Sequence, residues 1–266
     1  MEDLFFKWQE LTKSTGWVSV AMLIVAALIV IMSLFSLATS IYLAVKYVKF
    51  NRRENSAGMT GVEAARKILD DNGLSEIKVK SVGSMIFGNS YSHYFKKVRL
   101  RRFTKNKKSL TALAIGAEKA SLAVLDKEGD PDMKARVRLV PITTFGPFAF
   151  IPLVLIGVLL DFFIFKTQGV ITIVLSALGL VFFALSLVLS IMTLKTEIKA
   201  QKRSYELLKK SEMATDEEIS LMAELFRLYN IQYVNDIIIS ALELLYRALQ
   251  IIAAMQGNGS GGGSND

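Results

Sequence analysis

Trp17-Val-Ser-Val-Ala-Met-Leu-Ile-Val-Ala-Ala-Leu-Ile-Val-Ile-Met-Ser-Leu-Phe-Ser-Leu-Ala-Thr-Ser-Ile-Tyr-Leu-Ala-Val45 runs for 29 residues without a charge. A helix crosses the hydrocarbon core of a bilayer with roughly 20 apolar residues. This segment therefore spans with length to spare. A secretory signal has a shorter apolar region behind a basic start. Here Glu2 and Asp3 precede the run and no cleavage pattern follows, so the segment reads as a retained anchor. Trp8 and Trp17 suit the headgroup layer. Lys46, Lys49, Arg52 and Arg53 follow at once, and Lys7 and Lys13 precede. Counting Lys and Arg on the two flanks places the N-terminus outside and residue 46 onward in the cytoplasm.

Working outward, two further apolar runs appear. Phe145 to Phe165 forms a second span, interrupted by Gly146, Pro147 and Pro152 and carrying Asp161 near its far end. Proline inside a helix removes a hydrogen bond, so a kink or a late start is expected. Lys166-Thr-Gln-Gly169 turns the chain, and Val170 to Leu194 is a third span of 25 uncharged residues. Lys195, Lys199, Lys202 and Arg203 lie beyond it, which agrees with a cytoplasmic return. Lys195 to Lys210 continues that helix, and Thr215-Asp-Glu-Glu218 caps another. Ile231 to Met255 is apolar but contains Asp236, Glu243 and Arg247, the pattern of a membrane-associated helix or a fourth span. Gly257 to Asp266 reads as a flexible tail.

Between the first two spans the chain is polar. Asn55-Ser-Ala-Gly58 is a short linker, and Thr60 opens a helix with Glu63 at the capping-box distance. Asn72-Gly73 ends it. Ile77 to Val82 and Val98 to Phe103 alternate apolar and polar residues as half-buried strands do, with Gly83 to Asn89 as the loop between them. Ser109 to Leu125 is a helix rich in Ala and Leu, broken by Lys127-Glu-Gly-Asp-Pro131. Its small residues Ala112, Ala114, Gly116, Ala117, Ala120 and Ala123 permit close helix packing.

Composition agrees. The 266 residues are 52% hydrophobic, with a mean hydropathy of +0.39. There is no Cys, which excludes disulfides and thiolate metal sites. One histidine, His93, leaves little for ordinary Ser/His or Cys/His catalysis. The net charge of +8 suits cytoplasmic flanks and anionic headgroups. No aromatic pattern of an RNA-binding sheet interleaves the charges, so no nucleic-acid partner is expected. The fold class expected is a mainly α membrane protein. It has three to four transmembrane or membrane-associated helices and a small α+β cytoplasmic insertion. Its parts are 1–50 with the first transmembrane helix, 51–143 as the basic α+β segment, 144–194 as a transmembrane hairpin, 195–256 as C-terminal helices, and 257–266 as tail.

Several stretches carry a resemblance. Thr60-Gly61-x-Glu63-Ala64-Ala65-Arg66-Lys67-Ile68-Leu69 is followed by Asn72-Gly73-Leu74. Ser92-His93-Tyr94 precedes Lys97-Val98-Arg99-Leu100. Ser109-Leu-Thr-Ala-Leu-Ala-Ile-Gly-Ala117, Leu139-Val140-Pro141 and Thr193-Leu194-x-x-Glu197-x-x-Ala200-x-x-Arg203 come after. In this order and spacing the chain resembles the YugP-like neutral zinc metallopeptidases of bacterial membranes, from the first span to the last helix. The resemblance implies a zincin-like insertion in the plasma membrane and a His-Glu-x-x-His helix. In that motif two imidazoles one turn apart bind zinc, and the Glu serves as general base.

This chain departs from the pattern where the chemistry lies. The first ligand position holds Glu118, the general-base position Lys119 and the second ligand position Leu122. Glu197 stands where the resemblance places an acidic third ligand, and Lys199 stands where an Asp would follow. Ser92 and Phe95 replace the two carboxylates expected around His93. The favoured reading is a catalytically inactive relative, a pseudopeptidase with no zinc, acting as a binding or scaffold subunit. Its partner would be another membrane protein or a second copy of itself. A second reading is a divergent active metallopeptidase with a zinc site rebuilt from His93, Glu118 and Glu197. A third is an anionic-lipid-binding membrane protein that uses the acid-free block Lys96, Lys97, Arg99, Arg101, Arg102, Lys105, Lys107 and Lys108, which also suits an acidic partner. The plainer expectations are a hydrogen-bonded histidine, an ion-paired Glu118–Lys119 turn, and Glu197 paired with Lys195 or Arg203.

Overall fold

A computed structural model describes residues 16–82, 88–143, 146–167 and 169–259. The chain is mainly helical. Helix α1 spans Trp17–Arg52, α2 Gly61–Asp71, α3 Arg102–Asn106, α4 Leu110–Glu128, α5 Pro131–Thr143 and α6 Gly146–Leu159. A π-helical turn, Leu160–Phe165, follows α6, and then α7 spans Val170–Lys210 and α8 Asp216–Gly259. Strands β1 (Lys78–Val82), β2 (Ser90–Ser92) and β3 (Lys97–Arg101) form one mixed sheet.

Among the described residues, three helices are long and apolar enough to cross a bilayer: α1, α7 and Asp216–Gln256 of α8. They expose Leu23, Ile31, Leu34, Val174, Val181 and Ile191. Apolar surface of that extent is at home in lipid rather than water. The apolar stretch Ala149–Phe165 is a shorter helix than those three, so the expected second span is the weakest of the set. Pro152 lies inside it, and its end is widened into the π turn. The charges of Asp236, Glu243 and Arg247 do not interrupt α8. Residues 257–259, expected in the tail, continue that helix, and 260–266 lie outside the described residues.

The chain groups into two compact units. The first comprises the described parts of Met1–Ser36, Val140–Ser190 and Asn235–Asp266. Within it, Gly157 meets the backbone of Thr172, and Gly179 meets Phe150, so α6 and α7 cross closely. Asp161 accepts hydrogen bonds from the Thr172 backbone N–H at 2.7 Å and the Thr172 hydroxyl at 2.6 Å, and also from the Thr167 hydroxyl. These bonds cap the start of α7 and satisfy a carboxylate that lipid would otherwise expel.

The second unit comprises Leu37–Leu139 and Ile191–Val234. Its core gathers Ala64, Ile68 and Leu69 of α2, Val98 and Leu100 of β3, Leu113 and Ala117 of α4, Leu208 of α7 and Phe226 of α8. Thr60 caps α2 as its sequence indicates, its hydroxyl accepting from the Glu63 N–H while Glu63 accepts from the Thr60 N–H at 2.7 Å. Gly73 takes a positive φ of 64° just past the end of that helix. Small residues bring α2 and α4 together. A Cβ on Gly116 would stand 2.3 Å from the Gly61 carbonyl oxygen, closer than any side chain allows. The α2 backbone thus lies directly against the small-residue side of α4.

Three local expectations change. Asn55-Ser-Ala-Gly58 is a joint rather than a loose linker: the Asn55 amide donates to the Lys108 carbonyl at 2.7 Å, and Glu218 accepts from the Ser56 N–H and hydroxyl. β1 and β3 pair in parallel, and β3 is flanked on its other side by a strand that was not expected, β2, in antiparallel register. Arg102 and Phe103 leave the strand for the short helix α3. Of the expected loop Gly83 to Asn89, residues 83–87 lie outside the described residues.

Candidate functional site: a buried charge cluster

Lys119 and Glu118 lie on α4, in the middle of the helix whose small residues let its neighbours approach. Lys119 Nζ sits 2.6 Å from Glu197 Oε2 and 3.1 Å from Glu118 Oε2. Glu197 comes from α7, and its other oxygen accepts from Arg136 of α5 at 3.2 Å. Arg136 also donates to the Thr196 hydroxyl at 2.7 Å. The second oxygen of Glu118 accepts from Gln201 of α7 at 3.1 Å, and Gln201 exchanges hydrogen bonds with Asn230 of α8. The side chains of Glu118 and Glu197 are only 7% and 6% exposed. One lysine and one arginine thus answer two carboxylates in a nearly dry interior.

The electrostatics follow from burial. Desolvation, the largest influence, pushes the Glu118 carboxyl up to about 7, with Glu197 adding to it and Lys119 and Gln201 pulling back. Burial also works against the Lys119 ammonium, but Glu118 and Glu197 outweigh it and hold the lysine charged above its ordinary range. The lysine is the permanent cation of the cluster, and Glu118 is the group closest to neutrality at pH 7.

His93 belongs to a different place. Its Nδ1 lies 2.6 Å from Asp126 Oδ2, and the Tyr91 hydroxyl donates to the same oxygen at 2.6 Å. Burial first, and Asp126 second, raise the pKa of Tyr91. These three side chains border an open cavity of about 230 Å³ with Ile77, Lys96 and Lys127. The structure brings Glu118 and Glu197 together, with Lys119 between them. It gives His93 a different carboxylate, Asp126. Glu197 pairs with neither Lys195 nor Arg203 of its own helix; those two turn to Asp132 and to Glu128 and Glu206. Arg136 and Asp126 were not singled out in the sequence. Arg136 is 61 residues from Glu197, and Asp126 is 33 from His93, so no spacing rule connects them.

Of the basic block, Lys96 takes the turn before β3 with a φ of 41°. Lys97, Arg99 and Arg101 lie on β3, and Arg102 and Lys105 on α3. Lys107 and Lys108 lead into the Ser109 cap of α4.

A multi-helix membrane chain with a mixed-sheet insertion, and with charged residues at the heart of its small-residue helix, is the class these observations define. Residues 24–252 match the family described as "Putative neutral zinc metallopeptidase", and the chain belongs to that family. The "Putative membrane protease YugP" of Bacillus subtilis (strain 168) is 25% identical over 199 residues, covering 75% of this chain and 84% of that protein. No solved structure matches.

The family's name implies zinc, and the residues at the expected positions do not fit it. Leu122 has no donor atom. The site's two carboxylates are already bound to an ammonium and a guanidinium, and a dication between them would meet both at close range. Among the described residues, no group of three His, Asp or Glu side chains is placed to hold a metal ion.

Proposed function

We propose that this chain is a catalytically silent member of its family, a pseudopeptidase whose role is binding or scaffolding within the plasma membrane. The observation that carries the reading is the position of Lys119. Its ammonium stands between Glu118 and Glu197, the two acids nearest to metal-ligand positions, and supplies in covalent form the positive charge that a zinc ion would bring. A general base at position 119 is replaced by a group that has no lone pair to take a proton while it stays charged. What remains of the ancestral site is a charge-paired, hydrogen-bonded cluster that holds α4, α5 and α7 together. The basic α+β part faces the cytoplasm in this reading, with the N-terminus outside, as the lysines and arginines after α1 and along the end of α7 favour. The partner is another membrane protein or a second copy.

The test is metal content of the full chain purified in detergent, beside Glu118→Ala and Glu197→Ala variants. The silent reading expects no stoichiometric zinc in any of them. About one zinc per chain, lost in either variant, would overturn it and restore a hydrolase with an unusual donor set. The triple change Glu118→His, Lys119→Glu, Leu122→His is the complementary arm. It rebuilds the ligand spacing and is expected to gain zinc that the natural chain does not take up.

A further inference from the structure

The outer face of the three-stranded sheet joins cations that are distant in sequence. Lys78 is the register partner of Lys97, and Lys80 is the partner of Arg99. Val98 and Leu100 point into the core between them, so Lys78, Lys80, Lys97 and Arg99 share the opposite, solvent face, with Ser90 and Ser92 completing it on β2. From Ile77 to Ala117 the sequence contains ten lysines and arginines and no acid. None of the four facing cations makes an ion pair among the described residues. Like charges on neighbouring strands repel and destabilise a sheet. Burial first, then Arg99 and Lys80, lower the pKa of Lys97.

A second observation lies at the end of the same face. Phe95 is 67% exposed, at the turn into β3, and Lys97 Nζ and Arg99 stand over its ring at 4.4 and 5.8 Å. Tyr94 beside it is also exposed and is tied by its hydroxyl to the Val137 carbonyl. An aromatic ring ringed by cations suits the boundary between headgroups and acyl chains, with the cations at phosphate level. None of the strand positions on this face is aromatic, so it lacks the stacking platform on which sheets hold single-stranded nucleic acid. For a chain that is already embedded in a bilayer, headgroups are also the polyanion present at the highest effective concentration.

We propose that this sheet face is a docking surface for anionic phospholipid headgroups, gripped by Lys78, Lys80, Lys97 and Arg99, with Phe95 entering the interfacial layer. The proposal stands independently of whether the chain hydrolyses peptides.

The absence of cysteine makes the test clean. A Ser92→Cys variant of the full chain, labelled with an environment-sensitive dye and held in uncharged detergent, is titrated with phosphatidylglycerol or phosphatidylcholine. Phosphatidylglycerol is expected to shift the dye emission to the blue and phosphatidylcholine to leave it unchanged. High salt should reverse the shift. Changing the four cations to Gln should raise the half-saturating phosphatidylglycerol by roughly tenfold or more. Indistinguishable lipids, or an unchanged midpoint in the variant, would overturn the proposal. So would a shift produced equally by inorganic phosphate, by polyglutamate or by single-stranded DNA, which would assign the face to a soluble anion, an acidic protein or a nucleic acid. Should the fourfold variant lose its helical circular dichroism, the Lys78→Gln/Lys80→Gln pair on the exposed edge strand carries the same test.

Discussion

Two charged regions of one small unit are built on opposite terms. In the α4–α5–α7 cluster every charge is answered: Lys119 by Glu118 and Glu197, Arg136 by Glu197, and the leftover oxygen of Glu118 by Gln201. On the sheet, Lys78 and Lys80 confront Lys97 and Arg99, and none of the four is ion-paired among the described residues. The difference tracks solvent. A buried ion without a partner is expelled or neutralised, whereas water and salt tolerate like charges at a surface for a modest loss. Internal pairing marks the first region as part of the frame. Unanswered charge on the second is what the proposed headgroup-docking role rests on.

The comparison is sharpest if Lys119 is removed. Lys119→Met leaves Glu118 and Glu197 buried, with Arg136 as the only cation paired to Glu197 among the described residues and none paired to Glu118. It should destabilise the chain by about 3–5 kcal/mol, the usual loss when one member of a buried ion pair is deleted. Thermal unfolding in mild detergent measures this, and a loss below about 1 kcal/mol, typical of exposed pairs, would erase the distinction between the regions. Next in size, Gly116→Ala tests the frame that holds the cluster. Its Cβ would meet the Gly61 carbonyl at 2.3 Å, a backbone atom that cannot step aside. A loss of about 1–3 kcal/mol is expected, read in the same unfolding assay.

Glu118 offers a pH signature. Its carboxyl is raised to about 7 in the folded chain from 4.5. The folded chain therefore keeps a proton that the unfolded chain gives up. This group's contribution to stability falls as pH rises from about 4.5 to about 7 and is level above that. Unfolding midpoints recorded across this window should show the slope in the natural chain and lose it in Glu118→Gln. The smallest effect has the opposite sign. Lys97→Gln or Lys78→Gln relieves cross-strand repulsion and should raise the unfolding midpoint slightly. A drop would mean that these cations serve the fold, and the contrast between the two regions would fail.

Much of the architecture is legible in the sequence because its causes are local. The capping boxes at Thr60 and Thr215, the Gly129 end of α4 and the charge-free stretches of α1 and α7 each depend on neighbours a few residues apart. The candidate site is legible only in part. Glu118, Lys119, Leu122 and Glu197 stand out through the resemblance, and the Glu118–Lys119 contact follows from adjacency. Arg136 carries no signal of its own among the charges of α5. The sheet misleads for a related reason: alternation points to strands near Ile77–Val82 and Val98–Phe103, which form as Lys78–Val82 and Lys97–Arg101, but says nothing of their parallel pairing or of the three-residue β2.

By itself, the sequence determined that this is a membrane chain of several helices with a basic α+β part and no His-Glu-x-x-His. Hydropathy, capping and a single histidine act through local or additive physics. Tertiary structure alone decided what the altered site became. Lys119 and Glu197 are 78 residues apart. Their 2.6 Å contact exists only because the fold lays α7 against α4. A guanidinium from a third helix, that of Arg136, completes the pairing of Glu197. Burial then turns those long-range contacts into an obligation, because in a medium with little water each charge must be met by the protein itself.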